Sequence, residues 1–475
     1  MQRQFPIVLV GNALSLMVAA IRLARDCAEI AIVNPTKNWG GHFSTFIANS
    51  VPFDPGMVLY EFTSFNSESR EADPATYDPA IRNDAGRFCA KVQTFVEGYQ
   101  RTHEIPTPKM YIDGCVLDDI LIANSLLSLR ELSFAEQCTQ ELRHLADPGA
   151  LHASHKLGSV AFNEFDYESA SLANHGETFH ARLIEPFCRK LLNIPTRDML
   201  ALYHRVAWLP LFYPETLLSH FHGNPQALPP TAFSYPTGER IGDLATKLKT
   251  EIEGNARITI IQDSLASLSL AAQGRIALTL ENGDVISSKK VAWANTLKEL
   301  LCAIGLEQRA ATYQKCSIAL AFLRLPATML RLDFSVLSVV DSRFAIYRIT
   351  NQSRCTGQDA GTVDIVVELN PDYAASLDMD HGTSGIAPQI ARELLELGII
   401  TGAGEIEWLA VKQMPNALML PTRGNRTGFM SERAAVLEAV PGVSLLGPAS
   451  GFFSSSCNDQ IVQGLQFGML QERLP

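Results

Sequence analysis

Basic charge is scarce: 39 Lys and Arg residues face 50 Asp and Glu residues, giving a formal net charge of -11. That balance argues against a protein that tracks nucleic-acid phosphates, which needs a basic face. Paired cysteines are missing as well. The nine cysteines are scattered, with no C-x-x-C pair, which reads as the reduced thiols of a cytoplasmic protein. Zinc-ligand spacing is absent: His152 and His155 stand three apart with no second pair, so no metal is expected. No stretch reaches about 18 uninterrupted apolar residues, so no membrane span is expected. The apolar run Phe5–Ile21 after Arg3 mimics a signal peptide, but Gly11-Asn12 divides it and the segment continues through Arg22 and Arg25. Repeats and low-complexity linkers are also lacking.

What remains is an ordinary folded-enzyme composition: 475 residues, 47% hydrophobic, 19% charged and 31 glycines. That is enough chain for a large core and two or three domains. Phe5–Val10 is a continuous apolar run, as in a strand buried on both faces of a parallel sheet. Gly11-Asn12-Ala13-Leu14-Ser15 turns the chain, helix patterning covers Leu14–Ala28, and Glu29–Asn34 is a second buried strand. This is one βαβ unit. Against the dinucleotide pattern G-x-G-x-x-G, Gly11 is kept, Ala13 is small enough for close approach, and Leu16 replaces the last small residue. Leu16 should push helix and strand slightly apart. Asn34 stands where an acid usually meets a ribose, a weaker contact without charge assistance. The missing acid also leaves NADP open on this segment.

Past that strand come Trp39-Gly40-Gly41-His42-Phe43-Ser44 and Phe53-Asp54-Pro55-Gly56. In this order the pieces resemble the FAD-binding entry of the flavin amine oxidase, protoporphyrinogen oxidase and UDP-galactopyranose mutase superfamily. The resemblance extends to the other end. Val443–Gly447 reads as a short strand ending in glycine, and Asn458-Asp459-Gln460 open a last helix, whose free N–H groups make an electropositive site. Between them, Glu164–Pro195 and the Tyr235-Pro236-Thr237-Gly238 turn look like the helical segment and the return turn of the mutase-like branch.

The resemblance implies an α/β fold. A Rossmann-like FAD-binding domain would be assembled from separated segments (1–64, 230–300 and 440–475). A mainly helical substrate or cap region would cover 65–229 and a mixed-sheet substrate domain 301–439. It implies FAD as cofactor, held by Gly11, Ala13, Asn34, Gly40, Gly41, His42, Gly447, Asn458, Asp459 and Gln460. Arg348 and Tyr347 fall on the substrate side, where the planar fork of Arg348 suits an anion; a surface ion pair with Glu368 is the competing use. His42 is a candidate proton shuttle or phosphate ligand. The activity implied is a FAD-dependent oxidoreductase acting on a small metabolite. The alternatives are a non-redox nucleotide-sugar mutase and, given the lost glycines and acid, a degenerate binding or scaffold protein.

Elsewhere the pattern predicts helices over Ile81–Tyr99, Asp118–Leu145, Ser159–Leu192 and Ile241–Glu253. It predicts strands over Ala256–Gln262, Leu265–Ala271, Arg275–Leu280, Val285–Ala294, Ile318–Arg324, Phe334–Val340 and Thr362–Leu369. Asn282-Gly283-Asp284 predicts a hairpin turn.

Overall fold

The computed structural model describes residues 2–25, 29–62, 85–146, 165–223, 231–358, 361–374, 382–453 and 455–472. His152 and His155 lie outside them. Strand β1 (Gln2–Val10), helix α1 (Leu14–Arg25) and strand β2 (Ile30–Val33) form the expected βαβ unit, with β1 and β2 parallel. β1 carries Val8 and Leu9, both fully buried, and α1 is buried along nearly its whole length. A helix so covered must be packed on more than one side. The second cover comes from the helix Cys457–Glu472, near the other end of the chain.

β1 and β2 sit in a seven-stranded sheet with strands from the middle and end of the chain. Ile258–Ile261 lies parallel beside β2, and Val285–Trp293 lies parallel beside β1. Val443–Leu445 adds parallel to the end of Val285–Trp293. The hairpin predicted at Gly283 joins Ile276–Leu280 to Val285–Trp293 antiparallel, with Gly283 at φ 85°. The fold class read from the sequence is therefore present: a Rossmann-like sheet built from separated segments.

A second seven-stranded sheet runs in the order Glu407–Met419, Lys315–Pro326, Thr362–Leu369, Ile346–Asn351, Val336–Val339, Lys109–Ile112, Cys115–Asp118. One face packs against helix Gly382–Glu396 through Ile386, Ile390 and Leu394. Helix α2 (Ala85–Glu97) falls within the predicted Ile81–Tyr99, and helix α3 (Asp243–Glu253) starts two residues later than predicted. Helix α4 (Cys457–Glu472) closes the chain and packs along α1.

Two predicted helices need correction. Asp118–Leu145 is helical only from Ala135 to Leu145, after a single 3-10 turn at Leu129–Glu131. Asp119, fully buried, accepts from the backbone N–H groups of Ile122 and Ala123, and so offers that backbone an alternative to helix. The Ser159–Leu192 pattern is helical from Tyr167 in its described part, and is broken at Gly176 (φ 84°) and by a π turn at His180–Ile184.

At the end of that helical stretch, Lys190 is fully buried and donates to the carbonyls of Val339 (2.9 Å), Asp341 (2.6 Å) and Ile346 (3.0 Å). Burial pulls its amine down to about 7. Lys190→Met should strand those acceptors and cost about 2–4 kcal/mol, read as a lower urea midpoint.

Candidate active site at the meeting of the chain ends

The two ends of the chain meet at the N-terminus of α1. Gly11 donates its N–H to Val33 O at 3.0 Å, and its φ of 123° excludes most side chains. A Cβ there would stand 2.5 Å from Asn295 Oδ1 and 3.1 Å from the backbone carbon of Ala294. The Trp39–Phe43 loop docks directly on this turn, with Gly40 N donating to Asn12 O at 2.8 Å. Gly40 has φ 89°, and a Cβ on it would strike Ala245 of α3 at 2.6 Å. From the far end, a Cβ on Gly447 would lie 3.1 Å from Ala13 Cβ, and Gly447 N donates to Gln463 at 2.7 Å.

These segments enclose a crevice of about 240 Å³. The first turn lines it with Asn12 and Ala13, the next loop with Gly40, Gly41 and His42, and the chain end with Pro448 and Gln460. The remaining wall is Ala294–Thr296 with Glu299, just past the strand parallel to β1. The sequence reading missed this wall. The signal for it was positional: in open α/β sheets ligands sit beyond the carboxyl ends of the strands, and the Val285–Trp293 strand ends there. Glu299 is itself engaged, in a reciprocal cap with Thr296 N (2.9 Å) and Oγ1 (2.7 Å).

Ser15 is the second residue that was missed. It is fully buried in the first turn of α1; its N–H donates to Gln460 Oε1 at 3.3 Å, and its Oγ has no partner among the described residues. A buried hydroxyl left open at a helix N-terminus, where the dipole favours negative charge, is a ready donor to an anion.

His42 sits on a 3-10 turn with its ring 3.9 Å from that of Phe43. Part of the residue reaches solvent. Crowding around the ring nevertheless withdraws water and holds the imidazole below its ordinary 6.5, with a backbone contact at Ser455 acting the other way. The ring is therefore neutral through pH 7 and can accept a proton.

Other candidates have different surroundings. Asn34 is buried and its amide serves the next turn: Oδ1 accepts from Thr36 N (3.0 Å) and Oγ1 (3.0 Å), and Nδ2 donates to Asn38 O (3.4 Å). It shapes the loop and does not line the crevice. Asn458 ties α4 to the backbone of Glu61, donating to its carbonyl at 2.6 Å. Asp459 caps α4 reciprocally with Ser456, and burial lifts its carboxyl to about 6. Of the three residues predicted at the start of α4, only Gln460 reaches the crevice.

Arg348 and Tyr347 lie on the second sheet. The Arg348 fork is bidentate to Glu368, with Nε at 2.8 Å and Nη2 at 2.6 Å, so the competing ion-pair use is the one observed, in a buried setting rather than at the surface. Tyr347 Oη also donates to Glu368, at 3.2 Å, and Glu368 accepts from Met57 N at 2.9 Å. The pair therefore props the Asp54–Met57 turn. Among the described residues no group of three His, Cys, Asp or Glu side chains is arranged to hold a metal, and no helix is long and apolar enough to cross a membrane.

No family model and no curated protein sequence matches the chain. Solved structures do. Reduced UDP-galactopyranose mutase superposes with a TM-score of 0.73 at 14% identity, over 98% of this chain and 95% of that one. The chain has the mutase fold. Putrescine oxidase bound to putrescine superposes at 0.60 and 9% identity over 99% of both chains. An oxidoreductase from Methanosarcina mazei gives 0.59 and 11% identity, also over 99% of both. UDP-galactopyranose mutase is one of the groups that the terminal motifs resemble, and at these identities the likeness establishes the shared fold.

Proposed function

We propose that the crevice binds the diphosphate of FAD and that the protein is a FAD-dependent oxidoreductase acting on a small metabolite. The observation that carries this is the convergence of both chain ends on the α1 N-terminus, where Gly11 and Gly40 let the segments close up with no side chain between them and the buried Ser15 hydroxyl has no partner among the described residues. Whole ligand pockets run to roughly 300–1,000 Å³, so a crevice of about 240 Å³ suits the diphosphate and its neighbours rather than a complete dinucleotide.

The flavin, when bound, supplies hydride acceptance. The chain's own residues do the rest. Ala13 and the first turn of α1 hold phosphate oxygens, and Gly11 makes the turn that presents them. Gly40 and Gly41 let backbone lie against the ligand, and Gln460 orients Ser15. His42, neutral at pH 7, takes up a proton at the mouth. Arg348 and Tyr347 act as positioning residues, fixing through Glu368 the turn that follows Phe53.

Purified protein should be yellow, with a flavin absorbance band, and should consume oxygen or an added acceptor with some member of an amine and small-metabolite panel. Colourless protein that takes up no added FAD would refute the reading. A second reading, a non-redox mutase acting on a nucleotide sugar, is favoured by the higher overlap with the mutase, 0.73 against 0.60. Activity that appears only after dithionite reduction, without acceptor turnover, would select it.

Two further outcomes follow. Ser15→Ala should weaken FAD about tenfold, the worth of one hydrogen bond to a charged group, measured by fluorescence on refilling flavin-stripped protein. For His42, the lowered imidazole gives the sign: the ring is uncharged above its ordinary value, so His42→Gln should leave FAD affinity unchanged from pH 7 to 8. The two proteins should diverge only as the pH falls below 6.5, where the wild-type ring gains charge and tightens its hold on phosphate. Equal curves throughout would remove His42 from the phosphate site.

A further inference from the structure

Residues Leu209–Phe212 run as a strap across the helical region, between the 3-10 segment Ala201–Ala207 and the helix Pro214–Phe221. Three side chains hold its backbone. Leu209 O accepts from His204 Nδ1 at 2.6 Å, Pro210 O accepts from the Tyr167 hydroxyl, and Phe212 N donates to His175 Nε2 at 2.9 Å. The last bond fixes the state of the imidazole. A backbone N–H can only donate, so Nε2 of His175 carries its lone pair and the ring proton sits on Nδ1, which meets Ser171 Oγ at 3.0 Å. His175 is fully buried against the rings of Phe179 and Phe212, with centroids 5.2 and 5.9 Å away. A second proton, on Nε2, would point at the Phe212 N–H. The charged ring and this hydrogen bond therefore exclude each other.

The elements packed against the helix Tyr167–His175 bring no acid to balance a charge on that ring. Glu141 is spent on Thr178, accepting from its N–H at 2.8 Å and from its hydroxyl. Glu136, Glu177, Asp198 and Glu215 are exposed, and Glu168 stands at the other end of the same helix. The bases on these elements are engaged elsewhere: Arg205 donates to Ile122 O at 3.2 Å, and His220 Nδ1 meets Thr216 O at 2.8 Å. The helix terminus itself favours a cation, but only weakly beside full burial. Burial pulls the His175 imidazole down to about 3, and His180 and His204 act in the same direction.

We infer that the Leu209–Phe212 strap is an acid-released latch: protonation of His175 breaks its hold on Phe212 and lets the strap lift, and the neutral ring keeps it shut. The sign follows from the lowered imidazole. A folded-state value below the ordinary 6.5 means that the latch has its full strength above pH 6.5 and loses it as the pH falls towards 3. The latch operates whether or not the crevice takes a flavin.

The test is amide hydrogen exchange on the full-length protein, corrected for the intrinsic pH dependence of exchange. Protection of the Phe212 amide should fall about twentyfold between pH 7 and pH 5. The amide of Val366, on a central strand of the second sheet, should change by less than about threefold over the same range. His175→Gln supplies an amide oxygen that accepts from Phe212 N and does not titrate, so its Phe212 protection should stay flat. His222→Gln, an exposed change nearby, should keep the wild-type slope. A flat wild-type profile, or the wild-type slope persisting in His175→Gln, would overturn the latch. So would parallel losses at Phe212 and Val366, which would mean that acid unfolds the protein as a whole. Should the thermal midpoint at pH 7 show that His175→Gln does not fold, the wild-type comparison of Phe212 with Val366 decides alone.

Discussion

Gly464→Val should release the flavin and destabilise the protein by about 2–4 kcal/mol. Gly464 lies on α4 where it crosses α1. Even a single Cβ there would stand 2.5 Å from the carbonyl oxygen of Ser15 and 2.6 Å from Val18 Cβ. The first of these atoms is helix backbone, which cannot step aside, so the whole of α4 must lift. Lifting it withdraws Gln460 from Ser15 N and Gln463 from Gly447 N, and thereby opens the crevice from its C-terminal side. The expected signs are loss of the flavin band during gel filtration and a reduced denaturation midpoint. Gly424→Ala is the matched control: a Cβ there meets nothing within 4 Å, and it sits within the described helix Arg423–Ala439. It should be neutral or stabilise slightly through helix propensity. If Gly464→Val kept its flavin and its midpoint, the close crossing of the two helices would not be what holds the site together.

That crossing was half visible in the sequence. The βαβ unit and the glycine pair at 40–41 were legible because buried parallel strands and backbone-approach glycines leave local marks. Leu16 stands where the dinucleotide pattern has its third small residue, which predicts looser packing. In the structure Leu16 is fully buried in the core, and a close approach to α1 comes from Gly464, some 450 residues away. No window along the chain joins those two positions. Arg348 was ambiguous for a related reason. A lone arginine on a strand looks the same in sequence whether it awaits a ligand or faces an acid on the neighbouring strand, and here the register sets it against Glu368.

Other elements were illegible because their local signals oppose their structure. The strand Glu407–Met419 mixes half-buried and exposed residues without period-two alternation and carries Pro415 and a positive φ at Asn416; its pairing with Lys315–Pro326 overrides propensity. The helix Arg423–Ala439 opens with two glycines and two threonines within its first residues, counting the Thr422 cap, a poor helical start. Gly428 is tolerated there because a Cβ would come 2.9 Å from Ala311. In both places tertiary packing supplies what the local sequence does not.

The second large effect should come from Asp54, the acid of the F-D-P-G turn, which the sequence marked only as part of a motif. It is 1% exposed. Its carboxylate accepts from the Tyr235 hydroxyl, from Ile241 N at 3.0 Å and from Gly242 N at 3.0 Å, at the entry to α3. Its backbone exchanges two bonds with the Gln352 side chain, at 3.1 and 2.8 Å, so one residue joins the α3 entry to the second sheet. Asp54→Ala strands a buried phenol and two backbone donors. We expect a loss of about 3–5 kcal/mol, with weaker flavin retention because the turn after Phe53 is released. Asp54→Asn keeps the shape and one acceptor oxygen and should lose less. The pH dependence separates the two contributions. Burial raises the Asp54 carboxyl above its ordinary 3.8, against the opposing bonds from Tyr235, Gly242 and Ile241. A folded-state value above the unfolded one means that the native protein binds the proton more tightly, so this group's contribution falls as pH rises between the two values and is flat above them. The stability difference between wild type and Asp54→Asn should therefore shrink across that window as pH increases. A difference that grew instead would show that the ionised carboxylate, with its three donors, is the better fit to the fold.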